Sequence, residues 1–157
     1  MEMSRGIYDI LLSVTEPEKK LQVRKNISVS EGKAVYIASV NPERKVAVFS
    51  VDGDLITDGN KCDKLILSQH NESETDWIGH FIELKGCDIS HAITQLEATL
   101  NNKMFQDASL KQKYARIVGR KFPTNTGNSD VERARINFIK RYKCELKCLK
   151  YKQEDKI

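Results

Sequence analysis

Short apolar runs and a weak alternation of apolar and polar residues fill the middle of the chain, and both patterns are typical of β-strands. Residues 33–40 and 45–51 each predict a strand, and the proline-containing sequence 41–44 predicts a turn between them. Apolar runs at 65–67 and 79–84 predict two further strands, joined by a polar surface loop. We therefore expect a meander of strands in this part of the protein.

Apolar residues at helical spacing predict three helices around this meander. The first covers about residues 4–14 and the second about residues 90–105. Residues 114–122 predict another strand, after which a serine and a glutamate three positions apart form a capping box. This box predicts the start of a long C-terminal helix over about 129–151. The order of these elements predicts an α/β fold.

The bulk composition limits the class of protein. The chain has 157 residues, of which 39% are hydrophobic and 31% are charged, which is typical of one water-soluble domain. All apolar runs are shorter than the roughly 18 residues that a membrane-spanning helix needs, and the N-terminus lacks a signal-peptide pattern. We therefore expect a cytoplasmic protein with no membrane contact.

Four cysteines and three histidines are spread along the chain without the close spacing of a zinc site. Cys144 and Cys148 fall on one face of the predicted C-terminal helix. A cytoplasmic chain of this length does not depend on disulfides, so we expect buried or half-buried free thiols. We expect His80 and His91 to be partly exposed.

Charged residues interrupt two of the apolar runs at places that would meet in a sheet. Asp63 opens the run at 65–67, while Glu83 and Lys85 stand at the end of the run at 79–84. Glu83 and Lys85 share one strand face because successive side chains of a strand alternate. If the two strands are neighbours, Asp63 reaches the same point. Two carboxylates and an ammonium group there predict a site for a hard divalent cation and an anionic substrate.

This motif resembles that of the PD-(D/E)XK nuclease superfamily, which is an Asp followed at a distance by (Asp/Glu)-x-Lys. The corresponding residues are Asp63 and the tripeptide Glu83-Leu84-Lys85. The resemblance covers roughly residues 45–122, about half of the chain. The phrase FIELKG, followed by a helix that contains Gln95, is similar to the RecB-like and Holliday-junction-resolvase-like branches of the superfamily.

The resemblance implies a restriction-endonuclease-like fold with an αβββαβ core, in which helices flank a mixed central sheet. We expect one nuclease-like domain over residues 1–157, with its core at about 33–122. The basic helix predicted over about 129–151 would be an addition to this core.

The resemblance also implies a role for each residue of the motif. Asp63, Glu83 and the backbone carbonyl of Leu84 would hold Mg²⁺ or Mn²⁺. Lys85 would orient the attacking water or stabilise phosphate charge, and Gln95 would position water or phosphate. Each residue also has an ordinary structural alternative, such as a strand edge, a solvated strand face or the polar flank of a helix. The implied activity is that of a Mg²⁺-dependent deoxyribonuclease, acting in defence against foreign DNA or in repair.

The net charge of +4 is distributed unevenly. Residues 111–157 contain 14 Lys and Arg against 5 Asp and Glu, a balance of +9, and the rest of the chain carries −5. A basic segment next to an acidic body predicts a nucleic-acid-binding face, with a solvated basic surface as the alternative. The residues that we place on this face are Lys113, Arg116, Arg120 and Lys121.

Three functions stay open at this point. The first is a nuclease that acts on DNA in preference to RNA, as a monomer or a homodimer. The second is a catalytically inactive nucleic-acid-binding or regulatory protein with the same fold. The third is a small subunit whose basic helix docks on a larger acidic protein. The presence of Asp63, Glu83 and Lys85 together favours the first.

Overall fold

The computed structural model of the protein describes residues 6–57, 59, 61–84, 88–120 and 129–157. Among these residues it contains three α-helices and a mixed seven-stranded sheet, which confirms the predicted α/β class. The elements in chain order are α1 (Ile7–Val14), β1 (Lys19–Glu31), β2 (Ala34–Ser50), β3 (Lys64–Gln69), β4 (Trp77–Leu84), α2 (Ile89–Asn101), a 3₁₀ turn (Lys103–Gln106), β5 (Leu110–Gly119), α3 (Ser129–Tyr142), β6 (Cys144–Lys150) and β7 (Glu154–Lys156).

Six strands of the sheet lie side by side in chain order, from β1 to β6, and β7 pairs with β2. β1 to β4 form an antiparallel meander. β5 then runs parallel to β4, and β6 runs parallel to β5. Each parallel pair needs a crossover, which α2 and α3 provide. The sheet therefore changes from antiparallel to parallel pairing at β4, the strand that carries Glu83.

One side of the sheet packs against the helices through the larger hydrophobic cluster. Leu65 of β3 and Phe81 of β4 point to this side, where Leu96 of α2 and Phe138 of α3 cover them. The other side is covered by β7 and by the far half of the β1–β2 pair. Tyr36 of that half shares the second cluster with residues such as Ile82. Both sides of β3 and β4 are consequently buried.

A buried ion pair joins the covering strand β7 to the centre of the sheet. The Nε of Arg116 lies 2.7 Å from Oδ2 of Asp155, which also accepts a 2.7 Å hydrogen bond from the hydroxyl of Tyr36. Arg116 makes a second ion pair, at 3.2 Å, with Glu145. The side chains of Arg116 and Asp155 are only 3% and 6% exposed, so each charge depends on the other for compensation.

The predicted C-terminal helix over 129–151 is wrong in its second half. The helix ends at Tyr142, Lys143 adopts a positive φ of 52°, and β6 follows at once. Cys144 and Cys148 therefore lie on a strand instead of a helix, although they still share one face. The described cysteines, Cys62 among them, are free thiols, as predicted.

Two other predicted boundaries are also wrong. The segment 41–44, predicted as a turn, continues the strand, so the two strands predicted on either side of it are the single strand β2. Its partner β1 had no prediction. The sheet thus extends beyond the predicted core of 33–122 at both ends, through β1 and through β6 and β7. The helices of the described residues are all too short or too polar to cross a membrane.

The buried ion pair generates a prediction about stability. Asp155→Asn should lower the free energy of unfolding by about 3 kcal/mol or more, because it leaves the Arg116 guanidinium buried without its main counter-charge. Glu145→Gln is the matched control, since this carboxylate is 47% exposed, and its loss should cost less than about 1 kcal/mol. Urea denaturation of both variants checks the difference. Equal effects would show that Asp155 is not the principal partner of Arg116.

Candidate active site

The register between β3 and β4 brings Asp63 and Glu83 together. Lys64 pairs with Ile82 in this antiparallel ladder, so Asp63 and Glu83 are the next residues of the two chain segments at the same end. The amide of Asp63 donates to the carbonyl of Ile82 at 3.1 Å, one residue off the register of the ladder. Glu83 lies on the helix side of β4, on the face that Phe81 shares.

Hydrogen bonds fix the orientation of both carboxylates. Oδ2 of Asp63 accepts a 2.7 Å bond from the amide of Leu84, and Oε2 of Glu83 accepts a 2.7 Å bond from Nε2 of Gln95. Gln95 reaches the pair from α2, whose N-terminus Asp88 caps. The other carboxylate oxygen of Glu83, Oε1, is buried and has no hydrogen-bond partner among the described residues. The site therefore contains a buried acceptor to which these residues supply no donor.

Asp63 and Glu83 shift each other's pKa in opposite directions, because Asp63 raises that of Glu83 and Glu83 lowers that of Asp63. Burial, followed by the negative charge of Asp63, raises the pKa of Glu83 to about 9. Burial also raises the pKa of Asp63, although the hydrogen bond from the Leu84 amide opposes this shift. Two carboxylates this close cannot both ionise without a cost unless a proton or a cation lies between them. The pair thus has the electrostatics of a cation site.

Two further residues of the predicted motif are Lys85 and Leu84. Lys85 lies outside the described residues. The side chain of Leu84 packs into the second hydrophobic cluster, so only its backbone faces the pair. Among the described ranges, no group of three or more His, Cys, Asp or Glu side chains is arranged to hold a metal ion. A cation here would rest on two carboxylates, completed by a backbone oxygen or by water.

A second layer of charge around the pair was not predicted. The ammonium group of Lys64, the residue after Asp63, lies 2.6 Å from Glu18 and 3.7 Å from Glu31. Burial alone would lower the pKa of Lys64, but these two carboxylates outweigh it and raise the pKa. Lys64 sits inside the strand pattern beside Asp63, whereas Glu18 and Glu31 are more than thirty positions away in sequence. A local pattern gives no signal for such a contact.

Asp52 lies in an exposed turn near the pair and is 3.7 Å from the ammonium group of Lys61. Its negative charge adds a smaller contribution than burial to the raised pKa of both Asp63 and Glu83. We therefore treat Asp52 as a neighbour of the pair and not as a ligand.

The structure separates the predicted phosphate-binding residues. Arg116 is 3% exposed and held by Asp155 and Glu145, so we remove it from the nucleic-acid face. Arg120 is exposed just after β5, two positions past the residue that pairs with Leu84, and thus lies at the carboxylate end of the sheet. Lys113 is half-buried near the opposite end of β5, opposite Gly79. Lys121 falls outside the described residues.

The prediction of a partly exposed His80 is wrong. This histidine is 2% exposed and lies on the side of the sheet away from Glu83, because its strand position differs from that of Glu83 by an odd number. His91, at the start of α2, is exposed as predicted.

Comparison of the chain with protein-family models, with curated proteins and with solved structures finds no match.

The carboxylate pair generates a prediction about pH. Without metal, the free energy of unfolding should fall as pH rises from 4.5 towards about 9, because the folded protein retains a proton on Glu83 that the unfolded chain releases. Glu83→Gln cannot ionise and keeps an acceptor for Gln95. It should therefore stabilise the metal-free protein at pH 8 by on the order of 1–3 kcal/mol and flatten the dependence on pH.

Urea denaturation with a chelator present, repeated across this pH range, measures the effect. Glu43→Gln is the matched control, because this carboxylate is exposed and lies on β2. It should change stability by less than about 0.5 kcal/mol at every pH. A Glu83→Gln protein that is less stable than wild type at pH 8 would contradict the predicted repulsion.

Proposed function

We propose that this protein is a metal-dependent nuclease of the PD-(D/E)XK type that hydrolyses phosphodiester bonds, in DNA in preference to RNA. One observation carries the proposal. The side chains of Asp63 and Glu83 meet at one end of β3 and β4, Gln95 binds one oxygen of Glu83, and the other oxygen is buried without a partner among the described residues. This donor set fits a hard divalent cation such as Mg²⁺ or Mn²⁺, which prefers oxygen ligands and keeps several waters.

The topology around the pair supports the proposal. The strands β2, β3 and β4 form an antiparallel meander, α2 follows, and β5 returns parallel to β4. With α1 before the meander, the chain has the αβββαβ order that the resemblance implies plus one extra strand, β1, between α1 and β2. The two acidic residues stand at the end of β3 and β4 where the chain leaves for α2, so the site is built from strand ends next to a helix.

The side chains have separate roles in the proposed mechanism. Asp63 and Glu83, with the Leu84 carbonyl, would hold the metal ion, and Gln95 keeps the Glu83 carboxylate turned towards Asp63. A bound Mg²⁺ makes a water more acidic and neutralises charge on the phosphate in the transition state. Lys85, two positions after Glu83 in the sequence, would stabilise the same phosphate charge as a cation.

The charge distribution supports a polyanionic substrate. Arg120 is exposed at the carboxylate end of β5, where a phosphate backbone that enters the site would pass. Residues 111–157 carry the excess of +9 even though Arg116 is used internally. Phosphate contacts of this kind position a duplex without reading its sequence. The proposal therefore expects binding that depends strongly on salt and weakly on sequence.

The proposed activity generates a prediction about cleavage. The protein should cut plasmid or single-stranded DNA with Mg²⁺ or Mn²⁺, and Asp63→Asn should reduce the rate by at least about a hundredfold, because a direct ligand loses its charge. Asp52→Asn, in the exposed turn nearby, is the matched control and should retain most of the activity. Electrophoresis of the cleavage products measures both rates. Cleavage that is equally fast in the Asp63→Asn variant would place the active site elsewhere.

Manganese calorimetry separates the nuclease from its main alternative. Lys85→Ala should bind Mn²⁺ as wild type does and yet lose cleavage by about a hundredfold or more, because its role is charge stabilisation. Glu83→Ala should lose both properties. A wild-type protein that binds DNA but shows no cleavage with any divalent ion would favour the catalytically inactive nucleic-acid-binding protein.

The position of Arg120 generates a prediction about DNA affinity. Arg120→Ala should weaken duplex binding evenly across sequences and reduce the slope of log K against log salt by about 0.9, the value for one phosphate contact. Lys103→Ala is the matched control, because this exposed lysine follows α2 at the far end of the sheet. Fluorescence anisotropy at several salt concentrations gives the slopes. An unchanged slope for Arg120→Ala would move the binding face away from the end of β5.

A further inference from the structure

A cavity of about 190 Å³ lies on the side of the sheet opposite to the carboxylate pair. It is bounded by β2, β4, β5, β6 and β7, and neither Asp63 nor Glu83 lines it. Most of the side chains in its wall are polar or charged. They include the cations Arg44, Arg116, Lys147 and Lys156, together with His80 and Tyr114. The nuclease proposal makes no use of this cavity.

His80 is a buried polar side chain of the wall without a partner. It is 2% exposed, and neither ring nitrogen has a hydrogen-bond partner in the described part of the chain. Its ring stacks on Tyr114, with centroids 5.2 Å apart and planes 10° from parallel. Burial and the charges of Arg116 and Arg44 lower the pKa of His80 to about 3, so the ring is neutral at ordinary pH. A neutral imidazole offers one donor and one acceptor, and leaving both unused in a buried place costs free energy.

The cations around His80 are incompletely compensated. The Nη atoms of Arg44 donate to the backbone oxygens of Pro42 and Ile157 and to the hydroxyl of Ser68, but its buried Nε has no partner within the described ranges. Burial lowers the pKa of Arg44 accordingly. Among the described residues, no side-chain carboxylate lies within ion-pairing distance of Arg44 or of Lys156.

The one carboxylate in the wall is already shared. Glu145 lies 3.2 Å from Arg116 and 3.6 Å from Lys147, so it does not neutralise the side of the cavity that Arg44 and Lys156 form. Arg116 is in turn paired with Asp155. The wall therefore presents two cations without a side-chain carboxylate partner, together with the two ring nitrogens of a neutral histidine, to one small space.

We propose that this cavity binds a phosphate-type oxyanion. The oxyanion would accept from Nε of Arg44, from the ammonium group of Lys156 and from the protonated nitrogen of His80. The other ring nitrogen of His80 points away from the first, so a water molecule and not the same oxyanion would donate to it. The volume equals that of about six water molecules, so it admits one phosphate group but not a nucleotide as a whole. The phosphate is either a free ion or the terminal phosphate of a nucleotide or nucleic acid that lies outside.

Titration of the full chain with inorganic phosphate tests the proposal. The ring nitrogens of His80 are followed by ¹⁵N NMR, with the exposed His91 as the internal control. Phosphate up to about 20 mM, which covers weak sites of millimolar Kd, should shift the His80 resonances in a saturable way and leave those of His91 unchanged. Lys156→Gln, at an exposed position that does not threaten folding, should weaken the affinity at least fivefold, and Arg44→Gln at least tenfold. Lys103→Gln, outside the cavity, should change it less than twofold.

Two further ligands identify the source of the phosphate. A 5′-phosphorylated dinucleotide that binds more tightly than inorganic phosphate, and loses this advantage without its 5′-phosphate, would support the cavity as a site for terminal phosphates. Equal affinity for the two would support a free ion as the natural ligand. An absence of saturable shifts at His80 would overturn the proposal, and would mean that His80 is hydrated by water only. Shifts that survive both Arg44→Gln and Lys156→Gln would overturn it as well.

Discussion

The antiparallel register of β3 and β4 determines where the charged groups of the candidate site lie. Because Lys64 pairs with Ile82, Asp63 and Glu83 come to the same end of the two strands, where their side chains meet. A slip of one residue would move one of the two carboxylates to the other side of the sheet. The same alternation directs His80 away from the pair and into the wall of the second cavity. The pairing of two buried strands thus separates an acidic site from a basic one by the thickness of a sheet.

The repulsion between the carboxylates of Asp63 and Glu83 makes this geometry costly in stability. A structure selected for stability alone would not keep two buried carboxylates in contact, because one of them must hold a proton or a cation. Here burial and Asp63 raise the pKa of Glu83, and Oε1 of Glu83 remains without a partner. Such a cost in stability is typical of sites whose function needs the arrangement.

Local sequence patterns were sufficient for the centre of the fold and for part of the site. Two apolar runs that begin or end in a carboxylate predicted β3 and β4, and helical periodicity predicted α2, which carries Gln95. The local patterns failed where a segment also fits the periodicity of another element, or where a residue far away in sequence determines the structure. In β6, Cys144 and Leu146 alternate with charged residues at the period of a strand, which the basic composition of the segment obscured. The burial of Arg116 depends on Asp155, 39 positions away, so no local sequence pattern predicts it.

Anomalous diffraction from crystals soaked in Mn²⁺ tests the central claim most directly. The account predicts one manganese peak between the carboxylates of Asp63 and Glu83, about 2.0–2.6 Å from an oxygen of each. Oε1 of Glu83, the oxygen that lacks a partner, should be one of these ligands. A manganese peak elsewhere in the protein, or a pair that stays free of metal at saturating Mn²⁺, would contradict the account.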